Sequence, residues 1–170
     1  KYDIEDYYTI DSSLGTNEDF KFLVEKAHTL GIKVILDAVF NHTSRDFFAF
    51  ADILKNGENS KYKNWYYIED FPVSDVDCEG APNLLCFSYY PGMPKLNLSN
   101  PETRKYFLDV ASFWISEYKI DGWRLDVADE LPDKFLDRLR MSVKSENNDA
   151  YILGEVWEDA SIKIAYSEWR

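Results

Sequence analysis

Residues 32–42, IKVILDAVFNH, decide the fold. The run is apolar and β-branched until its end, the composition of a strand buried on both faces of a parallel sheet, and it finishes in the polar pair Asn41-His42. Before it, Thr16 and Asp19 form a capping box for a helix whose apolar residues Phe20, Leu23, Val24, Ala27 and Leu30 recur at helical spacing, with Gly31 as its stop. After it, residues 43 to about 98 lose periodicity and gain Asn, Gly, Pro and aromatics. So long an irregular connection within a compact fold predicts an inserted subdomain.

Regularity returns at SNPETRKYFLDVASFWISEYK, residues 99–119. Here Asn100 can cap a helix, Pro101 suits its first position, and Phe107, Val110, Ala111 and Trp114 supply an apolar stripe. A strand is expected at about 119–127, then a helix opening near Pro132 with Leu136, Leu139 and Val143 on one side, then a strand AYILGEVW at 150–157. Helix, strand, insertion, helix, strand, helix, strand is the order of right-handed βαβ units around a parallel sheet, an α/β fold.

Bulk composition narrows the function classes. The 170 residues carry a net charge of -12 with no Lys/Arg cluster, which excludes nucleic acid and anionic membrane as natural partners. Hydrophobic residues make up 45 %, a globular value. No apolar run approaches the roughly 20 residues that span a bilayer, and Lys1-Tyr2-Asp3 does not open a signal peptide, so the chain reads as soluble. Cys78 and Cys86 read as free thiols, as in a reducing compartment. Among the aromatics at 65–90, core packing is the preferred reading over a sugar-stacking surface.

All three predicted strands end in chemistry. In parallel α/β sheets the ligand site lies beyond the carboxyl ends of the strands, and here those ends carry Asn41-His42, Arg124 and Asp126, and Glu155. Alternation puts Arg124 and Asp126 on one face, as it does Asp37 and Asn41. A guanidinium beside Asp126 would lower its pKa and hold it ionised, as a nucleophile requires. Glu155 has no cation beside it in sequence, so partial desolvation would raise its pKa, as a general acid requires. Two carboxyls with divergent pKa values suit glycoside hydrolysis, and a separation of about 5 to 5.5 Å would make it retaining. Taken singly, each residue also fits a structural role: an ion pair for Asp126, a helix-dipole partner for Glu155, a hydrogen-bonded histidine for His42. Asp37, deep in its strand, is expected to pair with Arg124 or accept backbone donors.

DAVFNH (37–42), GWRLDVADE (122–130) and GEVW (154–157) resemble, in order and spacing, three sequence regions of the α-amylase family of glycoside hydrolases. MPKLN (93–97) resembles a further motif of the neopullulanase, cyclomaltodextrinase and maltogenic amylase branch, and KYDIEDYYTIDSSLGTNEDF resembles the segment after the second barrel strand. The resemblance implies a partial TIM (β/α)8 barrel, about strands 3 to 5 with their helices, built from 1–42 and 99–170. An irregular domain B (43–98) would be inserted between the third strand and third helix. It implies Asp126 as nucleophile and Glu155 as acid/base, with Arg124 orienting Asp126. His42 would donate to a sugar hydroxyl, and Asn41 and Asp37 would support that shell. The implied reaction is retaining hydrolysis of α-1,4-glucans such as cyclodextrins, pullulan or maltooligosaccharides. An α-1,6-acting or transglycosylating member, or a non-catalytic carbohydrate-binding module, stays open beside it.

The sequence departs from the pattern in lacking a counterpart of the third catalytic carboxylate, so the chain reads as an internal segment of a longer enzyme and is expected to be inactive alone. DVDCEG (75–80) resembles half of a calcium loop, but its twelfth position is Cys86 where a bidentate Glu is needed. No metal or cofactor is assigned. Calcium is left open because many α-amylases bind it through the residue matching Asn41. The sequons at Asn41 and Asn97 are read as chance. The branch implies a cytoplasmic location, with a homodimer of the parent enzyme as a possible assembly.

Overall fold

The computed structural model describes residues 2–157 and 159; Glu158 and the last part of the expected barrel segment, residues 160–170, lie outside them. The chain divides into two compact units, Lys1–Tyr7 with Val39–Lys105, and Tyr8–Ala38 with Tyr106 onward.

The second unit holds a three-stranded parallel sheet of β1 (Ile35–Ala38), β2 (Gly122–Leu125) and β3 (Tyr151–Gly154), in that order. The register aligns Asp37 with Arg124 and Leu153, and Leu36 with Trp123 and Ile152. Helix α1 (Asn17–Thr29) is opened by the expected capping box, Asp19 N–H donating to Thr16 Oγ1 at 3.1 Å and Thr16 N–H to Asp19 Oδ2 at 2.9 Å. It ends at Leu30, and Gly31 follows at φ +72°, where only glycine is unstrained. Of its predicted apolar stripe only Val24 is buried, while Leu23 and Leu30 face solvent.

Helix α3 (Pro101–Tyr118) begins at the predicted proline, with Asn100 Oδ1 accepting from Glu102 and Thr103 N–H. Its later turns belong to the sheet's unit. There Trp114 meets Phe20 edge-on at 5.5 Å, and Ala111 O accepts from Trp123 Nε1 at 3.2 Å. Helix α4 (Asp133–Glu146) buries Phe135, Leu136, Leu139 and Val143, and β2 adds the fully buried Leu125. The α/β expectation holds.

Two strand expectations need correction. β2 is shorter than 119–127, because Lys119 (φ 58°) precedes it in a left-handed conformation and Val127 (φ 41°) ends it in another. β1 is not buried on both faces: Ile35 is 40 % exposed, and its neighbours on that face, Tyr151 and Leu153, are exposed too. The helices cover one face of the sheet and leave the other open among the described residues. At the amino end of β2, the Asp121 carboxylate accepts from His28 Nε2 (2.7 Å), Lys33 Nζ (2.9 Å) and Val34 N–H (2.8 Å), fastening the loop after α1 to the sheet.

In the first unit the irregular stretch after residue 43 contains a helix, α2 (Phe48–Asn56), which its lack of periodicity does not predict. Its buried Ala49, Phe50 and Ile53 pack with Phe40, Phe47, Trp65, Tyr66, Leu84 and Leu96 into an aromatic-rich core. The preferred core reading of the aromatics applies to Trp65 and Tyr66 but not to Tyr89 and Tyr90, which are exposed. Short antiparallel bridges, His42 with Lys95, Tyr66 with Leu96, Ile68 with Leu84 and Cys86 with Pro94, organise the rest. Both cysteines are free thiols, and burial pushes the Cys86 thiol up.

Candidate active site

The six residues singled out in the sequence fall into two clusters, one in each unit. In the sheet unit, Arg124 is the centre. Its Nη1 donates to both oxygens of Asp37, at 2.7 and 2.9 Å, and to Asp126 Oδ1 at 2.8 Å, while Nη2 lies 2.8 Å from Glu155 Oε1. Strand register explains the first contact, since Asp37 and Arg124 are direct neighbours on adjacent parallel strands. Backbone geometry explains the rest. The parallel ladder continues past the strands, Asp126 N–H donating to Ala38 O at 3.2 Å and Glu155 N–H to Leu125 O at 2.9 Å. Val127 then takes φ 41°, ψ 53°, costly for a β-branched residue. That turn leaves its N–H donating to Glu155 Oε2 at 3.1 Å. Strain at Val127 thus buys a fixed carboxylate, and no sequence signal marked it.

The electrostatics of the two carboxyls reverse the expectation. Burial pushes Asp126 above the usual Asp range, and the hydrogen bond and charge of Arg124 oppose it without prevailing. Its residue exposure is only 6 %, and Asp37 and Glu155 add like charge. Glu155 moves the other way. The Val127 N–H holds it below the usual Glu range against desolvation, helped by Trp157 and by Arg124. The lack of a cation beside Glu155 in sequence was misleading, since Arg124 reaches it across strands from 31 positions away in a fold that places their strands side by side. Asp37 is not deep in an apolar surround either; its side chain is 40 % exposed, although it pairs with Arg124 as expected. Arg124, shared among three carboxylates, has its pKa raised above its already high ordinary value despite partial burial.

Asn41 and His42 belong to the other unit. Both are 1 % exposed. Lys95 Nζ donates to Asn41 Oδ1 at 2.7 Å, and Asn41 Nδ2 lies 3.4 Å from His42 Nδ1. His42 Nε2 is 3.0 Å from the Tyr2 carbonyl, and the ring stacks on Phe87 at 5.0 Å and 20°. The donor expected to serve a sugar hydroxyl therefore has a backbone acceptor here. Segments 41–43 and 94–96 are held together by Leu96 N–H to Asn41 O (2.9 Å) and Thr43 N–H to Pro94 O (3.2 Å). Lys95 and Phe87 are not among the six candidate site residues; the MPKLN motif pointed to the first, and the aromatic richness of 65–90 to the second only as one of several rings.

An ammonium at hydrogen-bond distance from Asn41 Oδ1 opposes a divalent cation at the same oxygen. The residues as arranged do not fit calcium at Asn41. Among the described residues, no group of three or more His, Cys, Asp or Glu is placed to hold a metal ion.

Over 162 residues the chain is 51 % identical to a cyclomaltodextrinase from a Bacillus species and 52 % identical to neopullulanase 2 from Thermoactinomyces vulgaris, in each case covering 95 % of this chain. It spans 29 % and 27 % of the length of those two proteins. A solved cyclomaltodextrinase superposes with a TM-score of 0.91 at 50 % identity, covering 97 % of this chain and 28 % of that one. Residues 1–169 match the alpha amylase catalytic domain, and the chain belongs to that family, whose α/β barrel it builds in part.

Proposed function

We propose that the full-length protein is a retaining glycoside hydrolase acting on α-1,4-glucans such as cyclodextrins, pullulan and maltooligosaccharides. The observation that carries this reading is the single guanidinium of Arg124 gathering Asp37, Asp126 and Glu155 beyond the carboxyl ends of adjacent parallel strands. The names of the relatives, cyclomaltodextrinase and neopullulanase 2, support the substrate class.

In this reading residues 1–42 and 99–170 are part of the catalytic (β/α)8 barrel, contributing its third to fifth strands, and 43–98 is the inserted domain B. Asp126 attacks the anomeric carbon as Glu155 delivers its proton to the glycosidic oxygen, so the bond to the leaving sugar breaks as a glycosyl ester forms. Glu155, now anionic, takes a proton from water, which attacks the same carbon, releases Asp126 and restores the starting states. His42, Arg124, Asn41 and Asp37 hold the substrate and the nucleophile. The resting contacts of Glu155 with Val127 N–H and Arg124 favour its anion, so substrate entry must remove water from Glu155 and loosen those contacts before it acts as an acid. A cytoplasmic location fits the two free thiols.

The test is reducing-sugar release from β-cyclodextrin and pullulan by the full-length protein, with the anomeric form of the first product followed by NMR. Glu155→Gln is expected to lower kcat by about 10² to 10⁴, and Asp126→Asn by at least as much, with α-configured product from the parent. Turnover surviving either substitution largely intact, or product of inverted configuration, overturns the assignment.

A further inference from the structure

Asn41 and His42 stand side by side in the sequence, but the atom that governs them both is on a distant segment. We propose that Lys95 is a positioning residue which, through Asn41, fixes His42 as the neutral tautomer with its proton on Nε2. The purpose of that tautomer rests on the reading of His42 as a donor to substrate; the tautomer itself does not.

The argument is one of donors and acceptors. The two ends of an Asn amide are hard to tell apart by shape, and so are the two nitrogens of an imidazole. A lysine ammonium removes the first ambiguity, because it only donates: the atom it meets at 2.7 Å must be the Asn41 oxygen. The other end of the amide, facing His42 Nδ1 at 3.4 Å, is then an NH2. A protonated Nδ1 would set donor against donor, so Nδ1 is the acceptor and the ring proton sits on Nε2. The far side of the ring gives the same answer independently. Nε2 lies 3.0 Å from the Tyr2 carbonyl, which only accepts. The Phe87 ring stacked on the imidazole limits its rotation, and the bridge between His42 and Lys95 fixes the spacing of the set. Among the described residues, charged groups near the ring include Lys95 from segment 94–96, through Asn41, and Asp3 from the first segment, which is within electrostatic reach of His42. Asp3 favours a protonated ring but does not choose between its nitrogens.

The test uses the full-length protein with 15N-labelled histidine, the His42 signals being assigned by their loss in His42→Gln. Long-range 1H–15N correlation is expected to show an unprotonated Nδ1 and a protonated Nε2. Lys95→Met frees the Asn41 amide to turn its oxygen toward Nδ1; with the Tyr2 carbonyl still accepting at Nε2, the share of ring protonated on both nitrogens should rise, and Lys95→Arg, also donor-only, should restore the parent pattern. Should Lys95→Met fail to fold, Asn41→Asp is the second variant: it presents an acceptor to Nδ1 and should protonate both nitrogens. A protonated Nδ1 in the parent, or a pattern unmoved in Lys95→Met or Asn41→Asp, overturns the proposal. In parallel, Lys95→Met is expected to lower kcat/KM on β-cyclodextrin by about tenfold, as for loss of one positioning hydrogen bond. A shifted protonation pattern with unchanged turnover would sink the substrate-facing reading of His42 and leave the Lys95 relay standing.

Discussion

Arg124→Met removes the cation that, among the described residues, holds a cluster of three carboxylates, and keeps an unbranched side chain. The lost contacts are those to Asp37 at 2.7 and 2.9 Å, to Asp126 at 2.8 Å and to Glu155 at 2.8 Å. At an effective dielectric near 20 each pair is worth about 4 kcal/mol gross. Most of that is offset by desolvation of the guanidinium, and the 40 % and 31 % exposures of the Asp37 and Glu155 side chains screen it further. A net loss of about 1–3 kcal/mol at pH 7 is expected from denaturant unfolding of the full-length protein. The pH dependence gives a sharper check. Without Arg124 the carboxyls repel one another and their folded pKa values rise, so the folded variant holds more protons than its unfolded chain and gains stability as pH falls. The gap between parent and variant should therefore narrow toward about pH 4.5. Arg124→Lys, which keeps the charge but cannot fork, should fall between them. A variant as stable as the parent at pH 7, or a gap that does not change with pH, refutes the shared-cation account.

Asp126→Asn should abolish turnover while leaving the fold as stable or stabilising it by about 0.5–1 kcal/mol, because the Asp126 pKa is raised chiefly by burial and its ionised form is disfavoured in the fold. The sign follows: the cost of ionising it appears as pH rises through its folded pKa, so the gain should show at pH 7 and vanish in acid, as read from unfolding curves. Gly122→Ala should cost about 3 kcal/mol or prevent folding, since a Cβ there would lie 1.9 Å from the Tyr151 carbonyl oxygen at φ +156°; soluble yield and denaturation midpoint report it. Asp121→Asn should lose about 1–2 kcal/mol at pH 7. Burial raises the Asp121 pKa, but Val34 N–H, His28 and Lys33 outweigh it and hold the carboxyl low. Its stabilisation is then complete above the unfolded value near 3.9 and lost as pH falls through the lower folded one, so the gap should close in strong acid.

What could be read from the chain was whatever is periodic or local. The Thr16–Asp19 box, Pro101 at its helix start and the α4 stripe of Leu136, Leu139 and Val143 are short-range patterns, and the structure keeps them. Helix α2 escaped because it spans only Phe48–Asn56, has no side-chain N-cap and lies among loop residues. The open face of β1 escaped because a run of apolar residues states what can be buried, not what covers it. Among the candidate site residues, Asp37, Arg124, Asp126 and Glu155 were legible from strand-end position and alternation, and they do meet. The Lys95 contact was not, since it depends on an antiparallel pairing between segments 51 residues or more apart with no periodicity of their own.

The charge states were the least legible part, for a reason that bears on how the site would work. Sequence distance suggested that Arg124 serves Asp126 and leaves Glu155 alone. The parallel register gives one guanidinium to three carboxyls, and the strained Val127 turn adds a backbone donor to only one of them, Glu155. Asp126, the more buried, is left with the weaker net support. On the proposed assignment the pKa of each carboxyl is shifted against its role, Asp126 up by burial and Glu155 down chiefly by the Val127 N–H, and Arg124 touches both. A sugar ring that dries Glu155 and takes its place at Nη2 would raise Glu155 and return the undivided cation to Asp126. The two pKa values would then move in opposite directions on binding, so the pH profile of kcat/KM, set by the free enzyme, should differ from that of kcat. Superimposable profiles in the parent enzyme would show that Arg124 is not redistributed.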